Sequence, residues 1–514
     1  MLTLINPPGL KSFSGLQMHV PNPPLGLAYI AAAVRQACFD CHVVDGTGEA
    51  LDDIHSYPGR ADFLMQGLKL EEIVRRIPPS SKIIGITCMF STLWPITRKL
   101  SELVREAFPD AVLVLGGEHG TAVYDHVLRT SPFDVIVLGE GEQTVVDLLQ
   151  AIAEDKSFAS VAGIAFRDGD EVVTNGLSAR ARDVDAIPLP AWDLFPLESY
   201  ISRHQVNGVN IGRSMPLLAT RGCPYQCAFC SNPFMWTQRW IPRNPKLVVD
   251  EIESYVAKYR VSNFDFQDLT AVVKRRWIID FCNELMARNL NITWQMPSGT
   301  RAETFDDEVA QLLKESGCRA LAFAPESGSE QMLVEVKKKV DLGKMIESVR
   351  TALRHDLTLS CFFVIGFPNE TEETMAQTLR LIRRLAVLGV HDISAAKFVP
   401  YPGSELFRSL QQAGKIELDD AFFESPMDFY TTEAPSYADA VSTRRLFFMM
   451  NWMFVNFYVI SFLVRPHRVA RVLFNAIVFG REETRYSKWF VDRFYTRRKW
   501  RKMKQAGAEA SAAA

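Results

Sequence analysis

Cysteine is scarce in this chain, with nine in 514 residues, which rules out a small scaffold stapled by disulfides. Charge of one sign is missing too. Fifty-seven Lys and Arg stand against 60 Asp and Glu, for a formal net charge of −3, so no nucleic-acid partner is expected for the chain as a whole. The first residues, Met1-Leu2-Thr3-Leu4-Ile5-Asn6-Pro7-Pro8, lack the basic start and long apolar core of a signal peptide. They read as a short buried strand ending in a turn. At 514 residues the chain exceeds one ordinary domain, and two or three are expected.

The few cysteines are unevenly placed. Cys223, Cys227 and Cys230 lie in Thr220-Arg221-Gly222-Cys223-Pro224-Tyr225-Gln226-Cys227-Ala228-Phe229-Cys230-Ser231-Asn232-Pro233, a C-x3-C-x2-C spacing. Three thiolates on one loop can hold three corners of a cubic iron–sulfur cluster, where the usual pattern supplies four. No fourth cysteine is near; the next is Cys282. One iron is then left open to bind a substrate. A structural zinc site wants four ligands, typically in two pairs, and no second Cys/His pair follows. An oxygen-labile cluster also points to a reducing cytosol. Cys38-x-x-Cys41 has redox spacing but reads as the junction of a helix and a strand, with no sign of the exposed electropositive site that redox pairs need.

Before the trio, strand-like runs at Leu2–Ile5, His42–Val44, Ile83–Thr87, Ala111–Leu115 and Val135–Leu138 alternate with helical periodicity such as Leu27–Gln36 and Trp94–Ala107. That pattern predicts a parallel doubly wound sheet, with ligands at the carboxyl ends of the strands. Gly116-Gly117-Glu118-His119 and Gly139-Glu140-Gly141-Glu142 fall at such ends, where glycine lets a ligand approach the backbone. A hairpin turning at Asp168-Gly169 and the proline-punctuated Ile187–Asp193 read as a tether. Alternation resumes with strands near 216–220, 263–267, 292–296, 319–324, 359–365 and 392–398, and helices near 246–259, 274–289, 306–317, 343–355 and 371–388. Six such units make an open partial barrel, with its chemistry at the strand carboxyl ends. Gln267, Ser298, Arg301, Glu326 and Gly366 stand there.

The cysteine motif and the strand Pro216–Thr220 leading into it resemble the radical S-adenosylmethionine enzymes. In that family the open iron chelates S-adenosylmethionine. The segments Asn6-Pro7-Pro8, Pro23–Tyr29, Gly85-Ile86-Thr87, Gly116-Gly117 and Gly139–Glu142 resemble the cobalamin-binding domain that precedes many such barrels. Thr87, a spacer and Gly116-Gly117 match the cobalamin-fold pattern of a hydroxyl residue followed by paired glycines. The resemblance implies three cofactors: a [4Fe-4S] cluster on Cys223, Cys227 and Cys230, S-adenosylmethionine, and cobalamin. It places Glu326, Gly366 and the Phe229 backbone beside the nucleoside of S-adenosylmethionine, with Gln267, Ser298 and Arg301 at the same mouth. It places Asn6, Pro7, Thr87, Gly116, Gly117, Gly139, Glu140 and Gly141 around the corrinoid. Asp40-Cys41-His42 and Asp53-Ile54-His55 are near misses to the motif that puts histidine on cobalt. The first lies in an alternating strand rather than in the loop after the first strand, and the second is one residue too long, so no histidine ligand is expected.

The fold class expected is α/β. It comprises a flavodoxin-like cobalamin-binding domain at 1–155, a linker with a hairpin at 156–215, a partial (β/α)6 barrel at 216–400 and a mainly helical region at 401–514. Leu446–Val464 carries no charge for 19 residues, and 481–504 holds ten Lys/Arg against three Asp/Glu among many aromatics. That composition suits contact with an anionic membrane surface; a core or dimer helix and a true span are the alternatives. The last nine residues, Ala506–Ala514, are expected to be disordered. The function implied is methylation of an unactivated carbon of a hydrophobic small molecule: a lipid, a hopanoid-like triterpenoid or a tetrapyrrole. Electrons would come from a flavodoxin- or ferredoxin-type donor. The alternatives are oxidative cyclisation or carbon–carbon coupling, and a non-catalytic cobalamin- or membrane-binding module.

Overall fold

The structure, a computed structural model, describes all residues except 13–20, 61, 206, 303, 304, 429, 480–482, 485, 486 and 488–514. The terminal alanine run and most of the basic tail therefore lie outside the described residues.

The first module is built on β1 (Leu2–Asn6), β2 (Cys41–Asp45), β3 (Ile83–Thr87), β4 (Val112–Gly116), β5 (Val135–Val137), β6 (Ile164–Asp168) and β7 (Glu171–Thr174), ordered β7-β6-β5-β4-β3-β1-β2. The first five strands run parallel, in the flavodoxin-type order 2-1-3-4-5. Leu4, Ile5, Ile84, Ile86, Leu113 and Leu115 are buried, as required of strands covered on both faces by helices. Among those helices are α1 (Leu25–Gln36) and α2 (Glu142–Ala153), which pack on each other. The order reverses between β1 and β3, so the crevice opens beside Asn6 and Thr87.

The hairpin expected in the linker belongs to this sheet instead. Strand β6 pairs antiparallel with β5, Val135 facing Phe166 and Val137 facing Ile164. Ile164, Ala165 and Phe166 are buried by that pairing, which is why the module continues past residue 155. The proline-rich stretch is no loose tether either: Ala191 N–H donates to Ala28 O at 3.0 Å and Trp192 is buried. A three-stranded antiparallel sheet of Gly9–Ser12, Phe63–Gln66 and Ile54–Ser56 was not foreseen.

Strands β8 (Ser214–Leu217), β9 (Asn263–Phe266), β10 (Thr293–Thr300), β11 (Cys318–Glu326), β12 (Thr358–Ile365) and β13 (Asp392–Lys397) form one parallel sheet in chain order. Each lies within a few residues of its predicted place. The first ends early, because Thr220–Arg221 leaves the sheet to pair with Ile241–Pro242. Asn244, Asp306, Asp341 and Thr371 cap barrel helices by accepting backbone N–H bonds, each worth about 1 kcal/mol. One buried apolar cluster runs from Leu2 and Val34 through Trp192 and Leu197 to Leu217, Phe264 and Ile365. The two modules therefore share a core.

The last barrel helix, α3 (Glu372–Leu388), packs against α4 (Thr443–Val464), which leads into α5 (Pro466–Phe479). Leu446, Met449, Met450, Met453 and Phe457 form the buried face of α4. Arg465 donates to Val387 O and Leu388 O, and Arg468 to Gly389 O and Val390 O, so two cations close the carboxyl end of α3. Before α4 the chain returns to the first module. Arg98 pairs with Asp420 at 2.8 Å and Arg60 with Asp428 at 2.5 Å.

Candidate active site

The cluster loop is shaped by backbone constraint. Gly222 has φ +78°, and a Cβ there would lie 2.3 Å from Arg239 O, so only glycine fits between Arg221 and Cys223. The loop is pinned from two sides: Ala228 N–H donates to Val336 O and Leu406 N–H to Ala228 O, both at 2.9 Å. All three thiols are half-buried. Burial pushes Cys223 and Cys227 up while the Lys338 and Arg301 charges pull them down. Burial pushes Cys230 up to about 12. Iron reverses this preference by ligating the thiolate. Among the described residues no three His, Cys, Asp or Glu side chains converge on a single metal ion. A cubane does not need that convergence, since each thiolate ligates a separate iron. A loop offering three thiols beside two cations fits such a cluster with one open corner.

The barrel mouth brings several predicted residues to this loop. Glu326 ends β11 at φ +66° and accepts from Lys338 Nζ at 2.9 Å, both side chains 10% exposed. Lys338 Nζ also stands 6.0 Å from the Phe229 ring centre. The Arg301 guanidinium lies 3.9 Å over the Tyr225 ring, and Arg301 donates to Lys339 O. Gly366 turns with φ +88° and sets Phe367 against Phe229, ring centres 5.6 Å apart. Gln267 is half-buried at the end of β9. Its neighbour Asp268 points inward, accepting from Thr220 Oγ1 at 2.6 Å and Ala219 N at 3.2 Å, tying β9 to the segment that leads into the cysteine loop. Ser298 is not gathered in; it is exposed, with its hydroxyl 3.4 Å from Asn207 Nδ2.

The first module presents a second set of turns. Thr87 pairs with Gly116 at the ends of β3 and β4. A Cβ on Gly116 would meet no atom within 4 Å, whereas one on Gly117, at φ +111°, would lie 2.5 Å from Cys88 O. The pair thus makes a tight turn facing open space, a cradle that suits a ligand needing bare backbone. Met89 and Phe90, just beyond β3, are exposed. Asn6 and Pro7 have structural duties. Asn6 Nδ2 donates to Asp45 at 2.8 Å, Tyr200 OH donates to the same carboxylate at 2.9 Å, and Pro7 O accepts from Thr47 at 2.8 Å. His55 is bonded to Gly67 O at 3.0 Å, and His42 lies within β2 opposite Thr3. Neither histidine stands at the crevice.

The two sets of turns meet. Glu140 pairs with Arg180 at 3.3 Å and Arg221 at 3.4 Å, and Glu142 with Arg221 at 2.6 Å. A Cβ on Gly139 would approach Met235 O to 3.5 Å, and one on Gly141 would press on Ile30 at 2.9 Å. Ser231, next to Cys230, donates to Glu118. Gly139 and Glu140 therefore abut the cluster loop's own segment, and Gly141 packs on α1, so none of the three faces open space. Sequence reasoning passed over Lys338, Arg221 and Glu118. Lys338 is the middle of three consecutive lysines, a pattern that reads as a solvated face, yet its neighbours are exposed and it is not. Arg221 adjoins the motif, and that adjacency was the one available signal.

Comparison with known proteins agrees. Residues 217–382 match the Radical SAM superfamily and 16–149 the B12 binding domain. The chain is 29% identical over 391 residues to an uncharacterized methyltransferase of Pyrococcus horikoshii, covering 75% of this chain and 78% of that one. It is 31% identical over 403 residues to the anaerobic magnesium-protoporphyrin IX monomethyl ester cyclase of Cereibacter sphaeroides, covering 77% of this chain and 61% of that one. The fold matches the cobalamin-dependent S-adenosylmethionine radical enzyme OxsB with aqua-cobalamin bound, at TM-score 0.66 and 14% identity over 100% of this chain and 80% of that one. It also matches the radical S-adenosylmethionine methyltransferase TsrM of Kitasatospora setae with cobalamin and a [4Fe-4S] cluster bound, at TM-score 0.64 and 16% identity over 89% of this chain and 88% of that one. A B12-binding module pressed against a three-cysteine barrel places the chain among the cobalamin-dependent radical S-adenosylmethionine enzymes, whose cofactors are a [4Fe-4S] cluster, S-adenosylmethionine and cobalamin.

Proposed function

We propose that the enzyme methylates an unactivated carbon of an apolar small molecule. One observation carries the reading: the turns of the first module abut the cluster loop through Glu118–Ser231 and Glu140–Arg221, a contact that supports two cofactors working on one substrate. When bound, the cluster with S-adenosylmethionine supplies the radical that removes a hydrogen atom, and cobalamin supplies the methyl group that replaces it.

The chain's own residues bind, orient and exclude water. In this reading Cys223, Cys227 and Cys230 ligate the cluster. Lys338 and Arg301 keep positive charge beside it, where the carboxylate of S-adenosylmethionine would sit. Phe229, backed by the buried Phe367, gives the nucleoside an apolar floor, Glu326 and Gly366 line its edge, and Gln267 closes the mouth from β9. The Gly116-Gly117 cradle admits the corrinoid between β3 and β4. Exposed Met89, Phe90 and Leu269 at strand ends favour an apolar substrate. The electron comes from a small flavodoxin- or ferredoxin-type donor.

The 31% identity to a tetrapyrrole ring cyclase supports a second reading, oxidative ring closure in place of methylation. Anaerobically reconstituted protein should bind cobalamin and release 5′-deoxyadenosine on reduction. A product heavier by one CH2 supports methylation; a product lighter by hydrogen supports cyclisation; protein that takes up no cobalamin overturns both.

A further inference from the structure

Helix α4 is two-faced in a way the barrel does not use up. Opposite its packed face, Phe448, Trp452, Val455, Val459, Phe462 and Leu463 lie exposed, at the three- and four-residue spacing of one helical stripe. Leu463 is 72% exposed, Phe448 54% and Trp452 42%. Soluble surfaces scatter such side chains; a continuous stripe marks a contact surface. The asparagines within the helix do not interrupt it. Asn451 and Asn456 turn their amides back onto Phe447 O and Trp452 O at 2.7 Å. Ile477 and Val478 of α5 extend the exposed apolar area. Beside it, a cavity of about 730 Å³ bordered by Phe454, Val455, Val459, Val469 and Val472 carries apolar surface inward, on the side of the barrel where strands begin.

Charge frames the stripe. Arg444 precedes it and Arg471 follows it, both exposed. Arg383 donates to Asn456 at 2.9 Å, and Arg380 and Arg384 are exposed on the same helix, α3. The adjoining sequence 481–504 adds ten Lys/Arg against three Asp/Glu.

We propose that this face docks on an anionic lipid surface, with the stripe in the interface and the arginines at the phosphates. An apolar strip framed by cations is complementary to a negatively charged bilayer. A second copy of the chain fits less well, because an isologous pairing sets the same arginines against each other. A span fits less well again, because the inner face of α4 is packed on the barrel. The docking is independent of the catalytic reading and stands or falls separately.

The test is sedimentation of the full chain with vesicles of phosphatidylcholine alone and of phosphatidylcholine with phosphatidylglycerol. The protein should sediment with the anionic vesicles and not with the neutral ones. The variant Trp452→Glu/Val459→Glu/Leu463→Glu, with unchanged circular dichroism and cobalamin content, should partition about a hundredfold less, the scale that three half-exposed apolar side chains carry. If that variant misfolds, Trp452→Glu alone should lower partitioning, and anionic vesicles should slow hydrogen exchange in wild-type 443–479. Any of three results overturns the docking: no binding to anionic vesicles, equal binding by the face variants, or a wild-type dimer that the variants dissociate.

Discussion

Glu140→Gln tests the junction between the modules. The substitution keeps the side chain's shape and removes the charge that faces two buried guanidiniums. Arg180 is 9% exposed, Arg221 5% and Glu140 8%. Removing one partner of a buried ion pair costs about 3–5 kcal/mol when the other is stranded. Here neither is fully stranded. Arg180 still donates to Trp236 O and Arg239 O, and Arg221 keeps Glu142. The expected loss is therefore nearer about 2–3 kcal/mol, the scale of lost charge-assisted hydrogen bonds. The control is Glu154→Gln, which breaks an exposed pair with Lys156 and should cost less than about 1 kcal/mol. Urea unfolding of the two variants in parallel reads the difference. Burial alone would raise the Glu140 carboxyl, but the Arg180 hydrogen bonds and the Arg180 and Arg221 charges outweigh it and hold the group below its ordinary value. A carboxylate so depressed stabilises the fold above its unfolded value, about 4.3, and that contribution disappears as pH falls through the lower folded value. Glu140→Gln should lack this acid-side dependence. Loosening the junction should also uncouple the chemistry, with 5′-deoxyadenosine still released while product falls. A Glu140→Gln protein as stable as the Glu154→Gln control, and as productive as wild type, would refute the reasoning.

The geometry sets further outcomes. Alanine at Cys223, Cys227 or Cys230 should sharply reduce bound iron and abolish 5′-deoxyadenosine, read by iron analysis and chromatography. Gly116→Ala should leave stability within about 0.5 kcal/mol yet weaken cobalamin binding about tenfold or more, since its Cβ enters open space in the cradle. Gly117→Ala should instead cost about 1–3 kcal/mol of backbone strain, both seen by cobalamin titration beside unfolding curves. Lys338→Met should destabilise by about 3 kcal/mol by leaving Glu326 buried without its cation, and adding Glu326→Gln should restore much of that loss in a double-mutant cycle. Burial, with Arg468, Arg471 and Arg465 adding, holds His391 down at about 3. Between an unfolded value of about 6.5 and that folded value the unfolded chain binds the extra proton, so stability should fall as pH drops through this window, and less so in His391→Gln.

The fold was legible wherever one local pattern decided an element. The apolar runs of β1, β3, β4 and β5 and the helical periods between barrel strands needed no distant partner. The hairpin at β6 and β7 was legible as a hairpin, yet its neighbour was not, because nothing local says that Ile164 will pair with Val137. The small sheet of Gly9–Ser12, Phe63–Gln66 and Ile54–Ser56 escaped for the same reason. Within the site, Cys223, Cys227 and Cys230 were legible because cluster chemistry fixes their spacing. Glycines at positive φ, such as Gly117 and Gly366, were legible because backbone geometry demands them. Lys338 was not, since its role depends on burial between Glu326 and Cys227. Asn6 stood at the predicted strand end, but the carboxylate it serves, Asp45, comes from the neighbouring strand.

The most direct measurement is an untargeted mass comparison of metabolites from cells with and without this gene. A compound present only with the gene, and heavier by one CH2 than one that accumulates without it, is the result expected of a cobalamin-dependent radical methylase. A pair differing only by loss of hydrogen, or no differing compound, would contradict it.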